Sequence, residues 1–205
     1  MNLGACARLP TTPEMGVWYR AISLHHLGTA LSAAHTKGAT SRFSAGPLLS
    51  PARQFEILYF ASDHQTALFE CGALLGTPHL PGRVMPNPAI NVGILNVNVR
   101  LQMICDLTDH PLAQAVLETT AQELTGDWDG YQQRNAMTLV TNPVGHAPTQ
   151  ELGEALFRRG VEGFRSLSAR LPYNRTLVVF PENLRRGSHV IFSYGTSTHR
   201  IDGTI

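Results

Sequence analysis

The chain has 205 residues, of which 43% are hydrophobic, and its formal net charge is +1. This composition is enough for one sizeable core, and the near-neutral charge argues against a general binder of nucleic acids or membrane surfaces. Residues 1–16 do not resemble a signal peptide, and no stretch is long and apolar enough to span a bilayer. We therefore expect one cytoplasmic domain over residues 1–205, with its three widely spaced cysteines reduced.

The chain is predicted to begin with a loose end at residues 1–16. The next segment, VWYRAI at residues 17–22, reads as a strand that carries Arg20. Residues 24–34, LHHLGTALSAA, favour a short and weak helix, and a Gly/Ser-rich loop follows it.

A loop–strand–helix unit comes next, and it concentrates polar residues of distinct chemistry. Arg42 lies in the loop, and an aromatic-rich strand predicted at residues 55–61 carries Tyr59. Ser62 stands three residues before Gln65, which predicts a capping box that opens a helix. Since the end of such a strand and the first turns of the helix border one crevice, an anionic ligand there would meet a guanidinium group and an aromatic ring together.

Glu70 is the unusual residue of the predicted helix. Ala67, Glu70, Cys71 and Leu74 recur at spacings of three and four, so they share one face, and Gly76 is predicted to cap the helix end. A carboxylate on that face must be paired or used in chemistry. The plain structural alternative is a half-buried glutamate that forms a salt bridge with a nearby arginine.

The second half of the chain mixes strands and helices without a regular βαβ order, so we predict an α+β fold. Strict alternation of apolar and polar residues at 95–105 predicts a long strand with one buried and one wet face, typical of an antiparallel sheet. The other predicted elements are a helix at 111–124 that starts after Asp109, a polar irregular segment at 126–147, a helix at 148–159 closed by Gly160, strands at 176–180 and 189–194, and a loose end at 195–205.

Several common chemistries lack their motifs. Neither GxGxxG after a strand nor GxxxxGK[ST] occurs, so Rossmann and P-loop sites have no support. HExxH and CxxC are also absent, so no metal site is predicted, and the nine histidines are expected to be surface or singly hydrogen-bonded residues. The sequence RFSAG lacks the first glycine of GxSxG. Asp127 and Asp129 lie in a polar loop, where solvated carboxylates are expected rather than a glycosidase pair.

Five short motifs in a fixed order resemble the RES domain family, which is named for an arginine, a glutamate and a serine. They are WYR with Arg20, SRF with Arg42, ILYFAS with Tyr59, TALFE with Glu70 and SLSAR with Ser168. The resemblance extends from about residue 17 to residue 180. Two features depart from the family pattern: the loop reads SRFS where the family often has a Gly-Arg-Trp-Asn type, and the segment between the loop arginine and the strand tyrosine is longer than usual. The rim of the pocket is therefore expected to differ.

The resemblance implies an ADP-ribosyltransferase-like fold with a mixed or antiparallel sheet core and flanking helices. It implies NAD as a consumed substrate and a toxin that an Xre-type antitoxin neutralises. The near-neutral charge argues against direct binding to nucleic acid or membrane, and the missing motifs argue against a metal. Family members hydrolyse or phosphorolyse NAD, or in some cases transfer ADP-ribose to a protein. A homo-oligomer and a toxin–antitoxin hetero-oligomer both stay open, as does a non-catalytic nucleotide-binding or partner-binding module.

Within this resemblance, the chemistry of NAD suggests a role for each matched residue. Arg20 and Arg42 would bind the pyrophosphate, with Arg20 also at the catalytic centre, and Tyr59 would stack against the cationic nicotinamide ring. Glu70 would stabilise the positive charge that builds up on the ribose as the nicotinamide bond breaks. Ser168 would donate a hydrogen bond to the substrate or to the glutamate. Without the resemblance, a core tyrosine and a turn serine are the simpler interpretations.

Overall fold

The computed structural model describes residues 1–77, 82–126, 128, 146–171 and 173–205. The strands are β1 Thr11–Ser23, β2 Leu58–Ala61, β3 Leu74–Gly76, β4 Val84–Pro86, β5 Val92–Asp106, β6 Gly163–Leu167, β7 Arg175–Val179, β8 His189–Tyr194 and β9 Ser197–Asp202. The α-helices within these ranges are α1 His64–Glu70, α2 His110–Leu117, α3 Ala121–Thr125 and α4 Pro148–Arg158. Short 3-10 turns lie at Leu3–Arg8, Leu24–Thr29, Ala34–Gly38, Gly46–Leu48, Pro51–Arg53 and Pro181–Asn183. Most of the predicted polar segment at 126–147 lies outside the described residues.

Five strands of the main sheet close into a ring. β1 pairs with both β2 and β5, and the order β2-β7-β6-β5 completes the circle. β5 and β6 run parallel, and the other described pairs of this sheet are antiparallel. The β8–β9 hairpin extends the sheet from β5, while β3 and β4 form a small separate sheet. The predicted α+β class with a mixed sheet is therefore confirmed.

Both chain ends contribute regular structure, so the prediction of two loose ends is wrong. The first 3-10 turn places Ala5 and Cys6 in the core, and β1 starts at Thr11 and pairs with β5 along its length. The tail forms β9, which pairs residue by residue with β8. Both strands are rich in polar residues because much of each strand faces solvent, and backbone hydrogen bonds to a neighbouring strand do not require apolar side chains.

A β-bulge interrupts the alternation predicted for β5. Leu101 lies opposite Glu14 and Ile104 lies opposite Thr12, so residues 102–103 face a single residue of β1. The inserted residue moves Ile104 to the face of the sheet that also carries Leu101, and it leaves Cys105 buried on the other face. Ile104 is consequently buried, although the alternation predicts a solvent-facing position for it.

The carboxylate of Glu162 binds the backbone of this bulge. It is fully buried and accepts hydrogen bonds from the Gln102 and Met103 amides at 2.5 and 2.7 Å. Its other oxygen accepts the Arg185 amide at 2.7 Å. Three backbone donors therefore compensate for burying the charge, and they join the bulge to the segment that leads into β8.

The core consists of two apolar clusters on opposite faces of the sheet. On β7, Leu177 and Val179 belong to one cluster and Val178 belongs to the other, as expected from the alternation of side chains along a strand. The cluster that contains Val178 also includes apolar residues of α2, α3 and α4. It holds these helices against the sheet, and α4 in turn reaches the loop that carries Arg42.

The beginning of α1 differs from the predicted capping box. Asp63, not Ser62, is the N-cap, and its carboxylate accepts the Thr66 amide at 2.8 Å. The Asn174 side-chain amide donates to both Asp63 and Thr66, at 2.9 and 2.7 Å. This contact ties the first turn of α1 to the segment just before β7.

The end of α1 also comes earlier than predicted. The helix stops at Glu70, Cys71 is its C-cap, and Gly72 follows with a φ of 75°, which suits a glycine. Leu74 and Gly76 lie in β3, so the predicted helical face over Leu74 and the cap at Gly76 are both wrong. Glu70 is therefore the last residue of the helix.

The remaining elements show smaller differences. The helix predicted at 111–124 is divided into α2 and α3, because Glu118 has a left-handed backbone with a φ of 54° and Thr120 caps a new helix. The weak helix at 24–34 is a 3-10 turn. The strand predicted at 55–61 is present as the shorter β2, whereas β6 was not predicted. The helix at 148–159 and the strands at 176–180 and 189–194 are confirmed within one residue.

Candidate active site

A pocket of about 270 Å³ opens where β1, β2 and α1 meet. Arg20, Arg42, Tyr59 and Glu70 all line it, although they come from four different parts of the chain. Ser168 lies behind Glu70, outside the lining. The structure therefore brings the five residues singled out in the sequence into one region.

Arg42 is buried beside the pocket, with 5% of its surface exposed. Its Nη2 donates to the Thr176 hydroxyl at 3.2 Å, and its guanidinium carbon lies 4.7 Å from the centroid of the Phe43 ring. Its Nη1 is buried and has no hydrogen-bond partner among the described residues. Burial lowers the pKa of Arg42, and the negative charge of Glu70 partly opposes this effect.

Arg20 presents a second guanidinium group from β1, and this side chain is half-buried. Its Nη1 donates to the Tyr59 carbonyl at 3.4 Å, and the group lies 5.9 Å from the centroid of the Phe60 ring. Its Nε is buried without a partner in the part of the chain that the structure describes. Burial lowers the pKa of Arg20 to about 10, so the side chain is still charged at neutral pH. One buried and one half-buried cation, each with a buried donor that lacks a partner among the described residues, favour an anionic ligand.

Glu70 projects from the last turn of α1 and is exposed at the pocket. Its Oε1 accepts the Ser168 hydroxyl at 2.5 Å and the Ala169 amide at 3.0 Å. Both bonds go to one oxygen, which leaves Oε2 to face a ligand. No ion pair of Glu70 within 4.0 Å occurs among the described residues, so the salt-bridge alternative has no support there.

The Ser168 hydroxyl is a structural support for this carboxylate. The residue is 1% exposed, and its Oγ donates to Glu70 while it accepts the Arg170 and Leu171 amides at 3.2 and 2.9 Å. A hydroxyl has one donor and two acceptor sites, so these three bonds use all of them. From the sequence, Ser168 is expected to donate to the substrate or to Glu70, and the structure contains the hydrogen bond to Glu70.

The Tyr59 hydroxyl is engaged with the loop that carries Arg42. It forms a hydrogen bond with Ser41 Oγ at 2.7 Å and accepts the Phe43 amide at 3.1 Å. Its ring stacks on the Phe43 ring, with centroids 6.5 Å apart and planes inclined by 21°. Burial raises the pKa of Tyr59 to about 12, so the hydroxyl is protonated at any ordinary pH.

Sequence reasoning missed several residues of the pocket. Thr176 holds the Arg42 guanidinium, but in the sequence it reads only as a strand former. Tyr19 precedes Arg20 on β1 and packs edge-on against His64, with centroids 4.3 Å apart. Cys71 was expected to be a small core residue, yet it is half-buried and lines the pocket. Trp128 also lines it, and no local pattern marked that residue.

Two kinds of feature are absent from the described residues. No helix in the described ranges is long and apolar enough to cross a membrane. No group of three or more His, Cys, Asp or Glu side chains there is arranged to hold a metal ion.

Comparison with known proteins places this geometry in a family. The model of the RES domain matches residues 17–200, which extends the resemblance seen in the motifs through β8 and most of β9. No curated protein sequence matches significantly. Among solved structures, a chain of the crystal structure of the M. tuberculosis MbcT–MbcA toxin–antitoxin complex is 18% identical, with a TM-score of 0.62 over 98% of this chain and 91% of that chain. This likeness supports the fold, and the family match covers most of the sequence. The chain belongs to the RES domain family.

Proposed function

We propose that this protein binds NAD and cleaves its nicotinamide–ribose bond, with water or phosphate as the acceptor, on an ADP-ribosyltransferase-like fold. One observation carries the proposal. Two guanidinium groups line the same pocket as a carboxylate held by a serine, and each has a buried donor without a partner among the described residues. That combination fits a substrate with an anionic part and a part that becomes positively charged during the reaction.

The two arginines suit the pyrophosphate of NAD. Burying an unpaired guanidinium group is unfavourable, and the spare Nη1 of Arg42 and Nε of Arg20 give a phosphate ligand donors to bind. Arginine is well suited to phosphate because its planar donors can contact two oxygens at once. The negative charge of the ligand would also offset the burial that lowers the pKa of both side chains.

The Glu70 carboxylate is suited to stabilising the ribose of NAD during the reaction. Breaking the nicotinamide–ribose bond builds positive charge on the ribose, and a fixed carboxylate stabilises that charge more in the transition state than in the ground state. Ser168 and Ala169 hold Oε1, which keeps Oε2 available without reorganisation during the reaction. A pocket that only bound pyrophosphate would gain nothing from a carboxylate beside its two arginines.

We also propose that the protein acts as an intracellular toxin that an Xre-type antitoxin protein neutralises. The family resemblance supports this proposal, and so does the structurally similar M. tuberculosis chain, which comes from a toxin–antitoxin complex. Expression without a partner should then lower cellular NAD and arrest growth, whereas expression of a Glu70→Gln variant should not. Normal growth and normal NAD during strong expression of the folded wild type would contradict the toxin assignment.

The decisive experiment measures nicotinamide released from NAD by the purified protein, with and without added phosphate. Glu70→Gln preserves size and can still accept from Ser168, but it removes the charge. We expect its turnover to fall by about two to three orders of magnitude, with little change in NAD affinity. Glu151→Gln, at an exposed position on α4, is the matched control and should behave as wild type.

Two results would overturn the proposal. One is wild-type nicotinamide release that never exceeds the no-enzyme background. The other is a folded, NAD-binding Glu70→Gln protein with near wild-type turnover. The acceptor is identified in the same assay: free ADP-ribose indicates water, a phosphate-dependent sugar phosphate indicates phosphorolysis, and label retained on protein indicates a transferase.

A further inference from the structure

The segment from Ser41 to Ser44, called here the Arg42 turn, has almost no regular structure of its own. The Ser41 amide donates to the Ser44 carbonyl at 2.8 Å, and the Ser44 amide donates to the Ser41 carbonyl at 3.3 Å. This isolated bridge closes the turn, but it does not fix the turn relative to the pocket. Side chains from other elements do that.

Tyr59, on β2, holds the Arg42 turn through hydrogen bonds. Its hydroxyl contacts the two neighbours of Arg42 at once, at Ser41 Oγ and at the Phe43 amide. β2 is itself fixed by its pairing with β7, where Tyr59 lies opposite Val178. The hydroxyl therefore connects the residues on both sides of the arginine to the sheet, Ser41 through its side chain and Phe43 through its backbone.

Gln150, which lies in the first helical turn of α4, forms further hydrogen bonds with the Arg42 turn. Its buried side-chain amide donates to the Ser41 and Ser44 carbonyls at 3.0 and 3.4 Å, and its Oε1 accepts the Ala147 amide at 3.0 Å. The helix backbone also comes close, because a Cβ at Gly153 would lie 2.0 Å from the Phe43 carbonyl oxygen. The two ends of the turn are thus attached to α4.

We propose that Tyr59 and Gln150 are positioning residues that clamp the Arg42 turn and so aim the Arg42 guanidinium at the anionic part of the ligand. Tyr59 acts through its hydroxyl on the turn and not by stacking its ring on the substrate. Thr176 steadies the far end of the same side chain at 3.2 Å. Arg42 is therefore fixed at its backbone and at its guanidinium group, while Nη1 is left for the ligand.

The proposal is tested by amide hydrogen exchange, resolved by residue with NMR, in Tyr59→Phe. This variant keeps the ring and its stacking on Phe43 but removes the hydroxyl that accepts the Phe43 amide. We expect the Phe43 and Ser44 amides to exchange about tenfold faster or more, and the amides of β5 to change less than twofold. Tyr194→Phe, at an exposed tyrosine on β8, is the matched control and should leave both regions unchanged.

Gln150→Leu is the second variant and keeps the test decisive if the first variant does not fold. It has a similar volume but cannot donate to the two carbonyls, so we expect faster exchange at the Ser44 amide, again without an effect on β5. Unchanged exchange in the turn would overturn the proposal, and so would a uniform increase over the whole chain, because that shows global destabilisation.

A kinetic measurement rests in addition on the proposed function. If NAD is the substrate, both variants should raise KM about tenfold with little loss of kcat, because a binding group that is less well aimed weakens the ground and transition states alike. A large fall in kcat with unchanged KM would overturn the positioning role. If exchange in the Arg42 turn is faster in the variants but the wild type does not cleave NAD, the positioning role of Tyr59 and Gln150 stands. Only the proposed reaction is then refuted.

Discussion

Replacing Ser168 with alanine tests whether this hydroxyl supports the candidate site as the structure indicates. The substitution removes the donor to Glu70 Oε1 and the acceptor for the Arg170 and Leu171 amides. The first loss affects the position of the carboxylate, whereas the second removes a hydrogen-bond acceptor from two backbone amides. Stability and catalysis should therefore both respond, for separable reasons.

The expected magnitude follows from burial. The bond to Glu70 contributes about 1 kcal/mol, below the usual range for a charged acceptor, because that carboxylate is exposed. The Leu171 amide lies at a residue that is 4% exposed, and a buried amide without a partner costs about 1–3 kcal/mol. Together the free energy of unfolding should fall by about 2–4 kcal/mol, which for a chain of this size lowers the melting temperature by on the order of 5–12 °C.

Urea denaturation and nicotinamide release should be measured on the same preparation, with Ser166→Ala as the control. Ser166 is equally buried, but its hydroxyl has no partner among the described residues, so its removal should change stability by less than about 0.5 kcal/mol or stabilise slightly. If the proposed reaction is correct, Ser168→Ala should also lose turnover by about tenfold, since Glu70 is less firmly held. A Ser168→Ala protein as stable as the control would refute the reasoning.

Three further predictions concern the frame of the pocket. Glu162→Gln should lower the free energy of unfolding in urea by about 2–4 kcal/mol, since an NH₂ group must then face one of three backbone donors; unchanged stability would contradict this. Gly153→Ala should lower the melting temperature and weaken ligand binding, since its Cβ would lie 2.0 Å from the Phe43 carbonyl oxygen; a variant with wild-type melting would show that α4 can shift freely. The raised pKa of Tyr59, about 12 against about 10 when unfolded, means that its contribution to stability is present below pH 10 and is lost as the pH rises to about 12. Titration of tyrosinate absorbance should show one late ionisation that Tyr59→Phe lacks.

The sequence predicts residues with local signatures better than it predicts their partners. Arg42, Tyr59 and Glu70 lie in one short unit, and the order of its loop, strand and helix places them around one crevice. The bond between Ser168 and Glu70 joins residues 98 positions apart, so no periodicity could indicate it. Here only the resemblance to a family suggested that the serine belongs with the glutamate.

Strands were missed where pairing, and not side-chain pattern, determines the structure. β6 reads GFRSL and lies between two partners, parallel to β5 and antiparallel to β7. Its Gly163 lets the β7 backbone approach, since a Cβ there would be 2.1 Å from the Val178 carbonyl oxygen. In the sequence, such a glycine reads as a turn. β9 is mostly exposed and polar, and its pairing with β8 alone makes it a strand.

The loop motif and the segment that follows it, both expected from the sequence to differ from the family pattern, have definite places in the fold. Phe43, in the loop motif SRFS, packs against both the Arg42 guanidinium group and the Tyr59 ring, so its aromatic ring contributes to the position of both side chains. The segment between Phe43 and Tyr59 forms 3-10 turns and buries Phe55 and Ile57 in the core. Arg53 joins it to α4 by contacting the Glu154 carboxylate at 2.7 and 2.8 Å. None of the described pocket-lining residues comes from positions 43–58. This segment therefore supports α4, the helix that contacts the Arg42 turn, without lining the pocket itself.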